Sequence, residues 1–140
     1  MVSVGSSAGF PVVATSSVAV ARSLGHADGE RAPVDEMLAA ARRIACAVDV
    51  PVMIDAESGY GLPPAELVER LIEVGASGFN IEDTDHRTGA RRQPEQQAEL
   101  LAALGVARVS LGGGLRTMVR AANGRILADL AERGSVRHPA

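Results

Sequence analysis

Val50-Pro51-Val52-Met53-Ile54-Asp55-Ala56-Glu57-Ser58-Gly59-Tyr60-Gly61 is the stretch that decides the fold. A continuous apolar run ends on an acid and breaks at once into a glycine-punctuated loop. Such a run suits a parallel strand covered on both faces better than one wetted on alternate positions. Three more short runs read the same way: residues 11–15, 78–82 and 107–111. Helical spacing lies between and after them. Met37, Leu38, Ala41, Ile44, Ala45 and Val48 recur with helical period, as do Leu67, Val68, Leu71, Ile72 and Val74. A third helix is expected over 94–104. A fourth is expected over 115–133, with Leu115, Met118, Val119, Ala122, Ile126, Leu127 and Leu130 on one face. Gly75, Gly105 and Gly134 stand where helices should stop, and Pro63-Pro64 where one should start.

The order strand, helix, strand recurs. Leu71-Ile72-Glu73-Val74-Gly75 leads into 78–83, and Leu101-Ala102-Ala103-Leu104-Gly105 leads into 107–113. Repeated βα units with right-handed crossovers imply a parallel α/β sheet or barrel. Strand ends near 15, 55, 82 and 111 allow about four parallel βα units in 140 residues. A closed eight-stranded barrel needs roughly 200–250 residues, so one such chain cannot close it.

Composition narrows the chemistry. The chain is 46% hydrophobic and 22% charged, which is globular. All 14 basic residues are Arg, so no mechanism can use a lysine of this chain. The net charge is −3 and aromatics are 2%, which argues against a nucleic-acid partner. No apolar run reaches the roughly 20 residues of a membrane span, and the first ten residues carry no leader pattern. A cytoplasmic protein is the expectation. Cys46, alone, forms no internal disulfide and reads as a buried helical thiol.

In βα proteins chemistry gathers beyond the C-terminal strand ends. Those positions here hold Thr15, Ser16 and Ser17, then 23–30 with His26, Asp28 and Glu30. They also hold Asp55, Glu57, Ser58 and Tyr60; Glu82, Asp83, Asp85 and His86; and Gly112, Gly113 and Gly114. Hard oxygen ligands in such a cluster suit Mg²⁺ held partly through water. Any single Asp among them serves equally as a solvated loop acid or cap. The glycine run serves either as a tight turn or as a phosphate cradle.

The text AGFPVVATSSVAVARSLGHADGE, followed by PVDEMLAAARRIACAVDVPVMIDAESGYG and GASGFNIEDT, resembles the isocitrate lyase and phosphoenolpyruvate mutase family from Ala8 to about Thr84. GVARVSLGGGL is similar to that family's last barrel strand. The resemblance implies a partial (β/α)8, TIM-type barrel. It implies a Mg²⁺-dependent enzyme acting on a small carboxylate or 2-oxo acid through an enolpyruvate-like intermediate, with C–C or P–C bond chemistry. By motif, Asp55, Glu57 and Glu82 match the acids around the metal. Asp28 matches the catalytic acid of a strand-end loop. Thr15, Ser16 and Ser17 match the turn that holds the substrate carboxylate, and Gly112 and Gly113 the last strand-end turn.

The chain also departs from the pattern. Lyase members carry a lysine-cysteine-glycine-histidine loop where this chain has Thr84-Asp85-His86-Arg87-Thr88-Gly89. The lyase acid–base pair therefore has no counterpart, a mutase or hydrolase-like relative fits better, and His86 is the substitute proton carrier. The family's first strand has only MVSVGSS in its place, and the text jumps near 97–101 from the region after strand four to the helix before strand eight. Residues 1–140 then read as one incomplete barrel domain with an internal deletion near 97–101 and a flexible tail at 135–140. Uncovered strand edges and apolar faces predict a homo-oligomer or an aggregation-prone chain. An inactive remnant and a small phosphate-binding module are the alternative readings.

Overall fold

The computed structural model describes residues 9–109 and 113–134, the side chains of 113–117 excepted. The chain divides into two compact units, Met1–Gly105 and Val106–Ala140. The first unit carries β1 (Val13–Ala14), α1 (Ser17–Ser23), α2 (Val34–Ala47), β2 (Val52–Asp55), α3 (Pro64–Glu73) and β3 (Gly78–Asn80). After them come β4 (Thr84–Asp85), β5 (Ala90–Arg91) and α4 (Pro94–Ala103). The second unit carries α5 (Gly113–Arg133).

β1, β2 and β3 form a parallel sheet in that order, with Val13 opposite Val52 and Ile54 opposite Phe79. The central strand buries Val52 and Ile54, while Met53 and Asp55 are half-buried. Parallel pairing demands a crossover between strands, and the helices supply it. Pro33 precedes α2, whose first turn holds Asp35 and Glu36, both favourable at a helix N-terminus. Pro64 opens α3, and Leu67 and Leu71, one turn apart, are buried. Gly75 ends that helix at φ +87°. Its N–H donates to Ile72 O and that of Ala76 to Leu71 O, at 2.9 and 3.0 Å. This pair of bonds turns the chain, and Ser77 N–H reaches Val52 O at 2.8 Å to start β3 beside β2.

Several expectations need correction. The described residues show three parallel strands rather than four. Residues 107–109 are not a strand, and Ala107, Arg108 and Val109 are exposed. Residues 110–111 and 135–140 lie outside the described residues. An antiparallel pair, β4 with β5, follows β3 where a loop was expected. The helix expected over 94–104 is α4. Cys46 is exposed, because the buried stripe of α2 runs through Met37, Leu38, Ala40 and Ala41 and leaves its last turn outside. Met118, Val119, Ile126, Leu127 and Leu130 of α5 are exposed, so the apolar face expected there is not a core face. Among the described residues no helix is long and apolar enough to cross a membrane.

Leu67 is 1% exposed and Ile72, five residues on, is 67% exposed. Leu67→Ala should therefore cost about 2–5 kcal/mol in urea unfolding. Ile72→Ala should stay within about 0.5 kcal/mol. Equal costs would show that α3 packs by another face.

Candidate functional site

The parallel ladder delivers the acids. β2 ends on Asp55 and its chain turns immediately. Ala56 N–H donates to Asn80 O at 3.0 Å and Glu82 N–H to Glu57 O at 2.7 Å, so the exits of β2 and β3 remain bonded beyond the strands. Asp55, Glu57 and Glu82 are thereby brought to one end of the sheet.

Each acid has its own support. Asp55 Oδ2 accepts from the N–H and the hydroxyl of Ser17, at 3.0 and 2.8 Å. Asp55 N–H donates to Thr15 Oγ1 at 2.9 Å, and Glu57 N–H donates to Asp55 Oδ1 at 3.2 Å. Thr15 and Ser17 thus stand beside Asp55, and Thr15 N–H is bonded to Met53 O at 2.9 Å. Ser16, exposed, lies between them. Glu57 is 1% exposed. Its Oε2 accepts from Glu30 N–H at 2.7 Å, and its Oε1 from the Tyr60 hydroxyl at 3.3 Å.

His86, carried by the β4–β5 connection, places Nε2 3.6 Å from both Glu57 Oε2 and Glu82 Oε2. That is ion-pair range but too long for a hydrogen bond. The atom is buried and has no hydrogen-bond partner among the described residues. Gly29 makes room for the ring: at φ +84°, a Cβ there would stand 3.3 Å from His86 Nδ1.

Burial raises the Glu57 carboxyl above its ordinary 4.5, opposed by the Glu30 N–H and by His86. Burial also raises Glu82, and the charges of Asp55, Asp28 and Asp83 push it further while His86 opposes. Asp28, exposed in the loop after α1, is thus part of the same field. Burial, then the charge of Glu57, drives the Tyr60 hydroxyl far above its ordinary 10.0, so it remains a donor. Among the described residues no group of three or more His, Cys, Asp or Glu stands ready to hold a metal ion directly. A cavity of about 10 Å³ beside Thr15, Ser17, Asp55 and Tyr60 is at the lower limit for one water. Gly112 lies outside the described residues, and Gly113 begins α5.

Residue-by-residue reading had assigned no role to Glu30, Ser58, Tyr60, Arg92 or Gln97. Glu30 Oε1 accepts from Ser58 and Tyr60. Arg92 donates to Ser58 O at 2.6 Å and to Glu82 O at 3.1 Å, with Gln97 beside it. No spacing rule announces the bonds of Glu30 and Arg92 to the 58–60 turn, 28 to 34 positions away.

Three comparisons bear on this arrangement. The family profile of phosphoenolpyruvate phosphomutase matches residues 2–100. The 2-methylisocitrate lyase of Escherichia coli K12 is 35% identical over 89 residues, 61% of this chain and 29% of that enzyme. A crystal structure from Burkholderia cenocepacia J2315, assigned as a phosphonomutase, is 39% identical with a TM-score of 0.66, over 72% of this chain and 42% of its own. A 2,3-dimethylmalate lyase of the PEP mutase/isocitrate lyase superfamily is 29% identical with a TM-score of 0.65, over 75% of this chain and 38% of its own. The chain thus spans less than half the length of these relatives.

A carboxyl raised by the fold holds its proton more tightly folded than unfolded. Stability from the protonated Glu57 is then full below its ordinary 4.5 and is lost as pH rises through the raised value. In metal-free buffer, Glu57→Gln, which keeps the shape without the charge, should gain in melting midpoint over the parent protein from acidic to neutral pH. A parallel pH dependence of the two would contradict this account.

Proposed function

The chain belongs to the phosphoenolpyruvate phosphomutase family, and from that premise we propose a Mg²⁺-dependent site for a small carboxylate or 2-oxo acid, of the mutase or hydrolase-like kind rather than the lyase kind. The single observation that carries the reading is the convergence of Asp55, Glu57 and Glu82 at the joined exits of β2 and β3.

The donor set is all oxygen, and Asp28, Asp55 and Asp83 repel Glu82. A divalent cation relieves such repulsion. Mg²⁺ commonly takes one or two carboxylates and keeps several waters, which is compatible with acids that are neighbours without forming a closed ligand set. When bound, the ion polarises a 2-oxo group and stabilises developing enolate charge. Asp55, Glu57 and Glu82 would hold it.

The protein's own groups do the remaining work. Ser17 and Thr15 fix Asp55. Glu30 and Tyr60 fix Glu57. In the proposal Ser16 and its neighbours face the substrate carboxylate. His86 carries the proton at Nε2, the atom that lies between two acids and lacks a hydrogen-bond partner among the described residues. The lyase loop with lysine and cysteine is replaced here by 84–89, which is the reason for preferring the mutase or hydrolase-like class.

Calorimetry and thermal melting test this reading. Mg²⁺ should raise the melting midpoint, by about 2.7 kcal/mol of stability at a hundredfold excess over Kd. Asp55→Ala together with Glu57→Ala should abolish the rise. Succinate release from 2-methylisocitrate should be undetectable. A melt indifferent to Mg²⁺ sinks the metal site, and steady succinate release sinks the class assignment.

Assembly follows from the sheet. The outer edges of β1 and β3 pair with no strand among the described residues, and bare edges recruit other chains. We expect self-association, seen by light scattering as a mass that rises with concentration. A single-chain mass at every concentration would contradict it.

A further inference from the structure

The turn at 57–60 is held by a residue far from it in sequence. Glu30 Oε1 accepts three hydrogen bonds from that turn: the Ser58 N–H at 3.1 Å, the Ser58 hydroxyl at 2.6 Å and the Tyr60 N–H at 2.8 Å. Glu30's own N–H returns a bond to Glu57 Oε2 at 2.7 Å. The exchange is reciprocal: the Glu30 side chain holds the backbone of the turn, and the Glu30 backbone holds the acid of the turn.

This matters because the turn is conformationally costly. Glu30, Glu57 and Tyr60 have φ of +57°, +49° and +55°, a region that residues with a Cβ rarely adopt. Such backbone persists where the surroundings over-determine it. Three donors converging on one carboxylate oxygen supply that determination. From the opposite side Arg92 donates to Ser58 O at 2.6 Å. The turn's donors therefore meet an anion and its carbonyl meets a cation.

We propose that Glu30 is a positioning residue: its carboxylate clamps the 57–60 turn in the left-handed conformation that aims Glu57 at the acid site, and so sets that site's readiness for a cation. The clamp rests on this geometry alone; the consequence for a cation rests on the function proposed above. The clamp also ties the loop bearing Asp28 to the loop bearing Asp55 and Glu57. An acceptor at this position is what the clamp requires, so glutamine, which keeps an oxygen, should serve, and alanine should not.

The experiment uses the full chain, with Glu30→Ala, Glu30→Gln and Glu30→Asp. Amide hydrogen exchange is followed at Ser58 and Tyr60, and Mg²⁺ alone is titrated by calorimetry. Expected is a selective loss of protection at Ser58 and Tyr60 in Glu30→Ala, with α2 and α3 still protected, and restoration in Glu30→Gln. Mg²⁺ affinity should fall by roughly 10- to 100-fold in Glu30→Ala, the range for removing a group that orients a metal ligand, and recover in Glu30→Gln. If the alanine variant does not fold, Glu30→Asp, which withdraws the oxygen by one methylene, should show the same selective loss. Unchanged protection at Ser58 and Tyr60 would overturn the proposal. So would a uniform loss across α2 and α3 in the alanine and aspartate variants, which marks a merely structural role. No Mg²⁺ binding by the parent protein would end the functional reading, while the exchange result still decides the clamp.

Discussion

The carboxylate of Glu57 is the constraint around which the first unit is arranged. It is 1% exposed, and a charge withdrawn from water is costly unless it is bonded. Its two oxygens meet the Glu30 N–H and the Tyr60 hydroxyl. Meeting those donors fixes where the loop after α1 must run and which way the turn after β2 must coil. It also explains why Gly29 is a glycine, since the ring of His86 stands against that position. Gly59, at φ +99° with the side chains of Ile81 and Leu67 within 3.4 Å of a hypothetical Cβ, lets the same turn sit directly on the core.

Around this carboxylate the charges are unbalanced. Burial raises Glu82 and the charges of Asp55, Asp28 and Asp83 raise it further, with His86 opposing. Arg92 lies close by, but its guanidinium is directed at the carbonyls of Ser58 and Glu82 and at Gln97. It organises the loops by hydrogen bonding. In the proposed function this clustering of acids would offer a cation a negative field, one that salt weakens.

How much of this was legible in the sequence depends on the range of the interaction. The runs at 50–55 and 78–82 announced β2 and β3 because their apolar continuity is local, and Pro33, Pro64 and Gly75 marked helix boundaries for reasons internal to those helices. The acids at 55, 57 and 82 were legible because a strand end is a place as well as a residue. Within the run 107–111, residues 107–109 form no strand, since apolar composition alone does not make one. The stripe on α5 misled similarly, for periodicity shows a face and not what covers it. Cys46 was misplaced because a helix's last turn can leave the core that its middle enters. Glu30, Tyr60 and Arg92 were illegible as site residues, since their partners lie far away along the chain and only the fold brings them together.

The range of these bonds bears on what a chain of this length can do. Every hydrogen bond described for Glu30, Asp55, Glu57 and Glu82 joins residues between 15 and 97, inside the unit Met1–Gly105. The ladder that sets their spacing needs only β1, β2 and β3. An acid cluster built this way owes its geometry to neighbours it already has, whatever further strands its longer relatives place around theirs. Binding and turnover therefore separate physically. In the proposed function, holding a hydrated cation would ask for the joined exits of β2 and β3, whereas excluding water from a reacting carboxylate would ask for walls around them. The chemistry of the acids and the enclosure of a substrate are distinct constraints: bonds within the unit Met1–Gly105 set the spacing of the acids, and whatever surrounds them sets the enclosure.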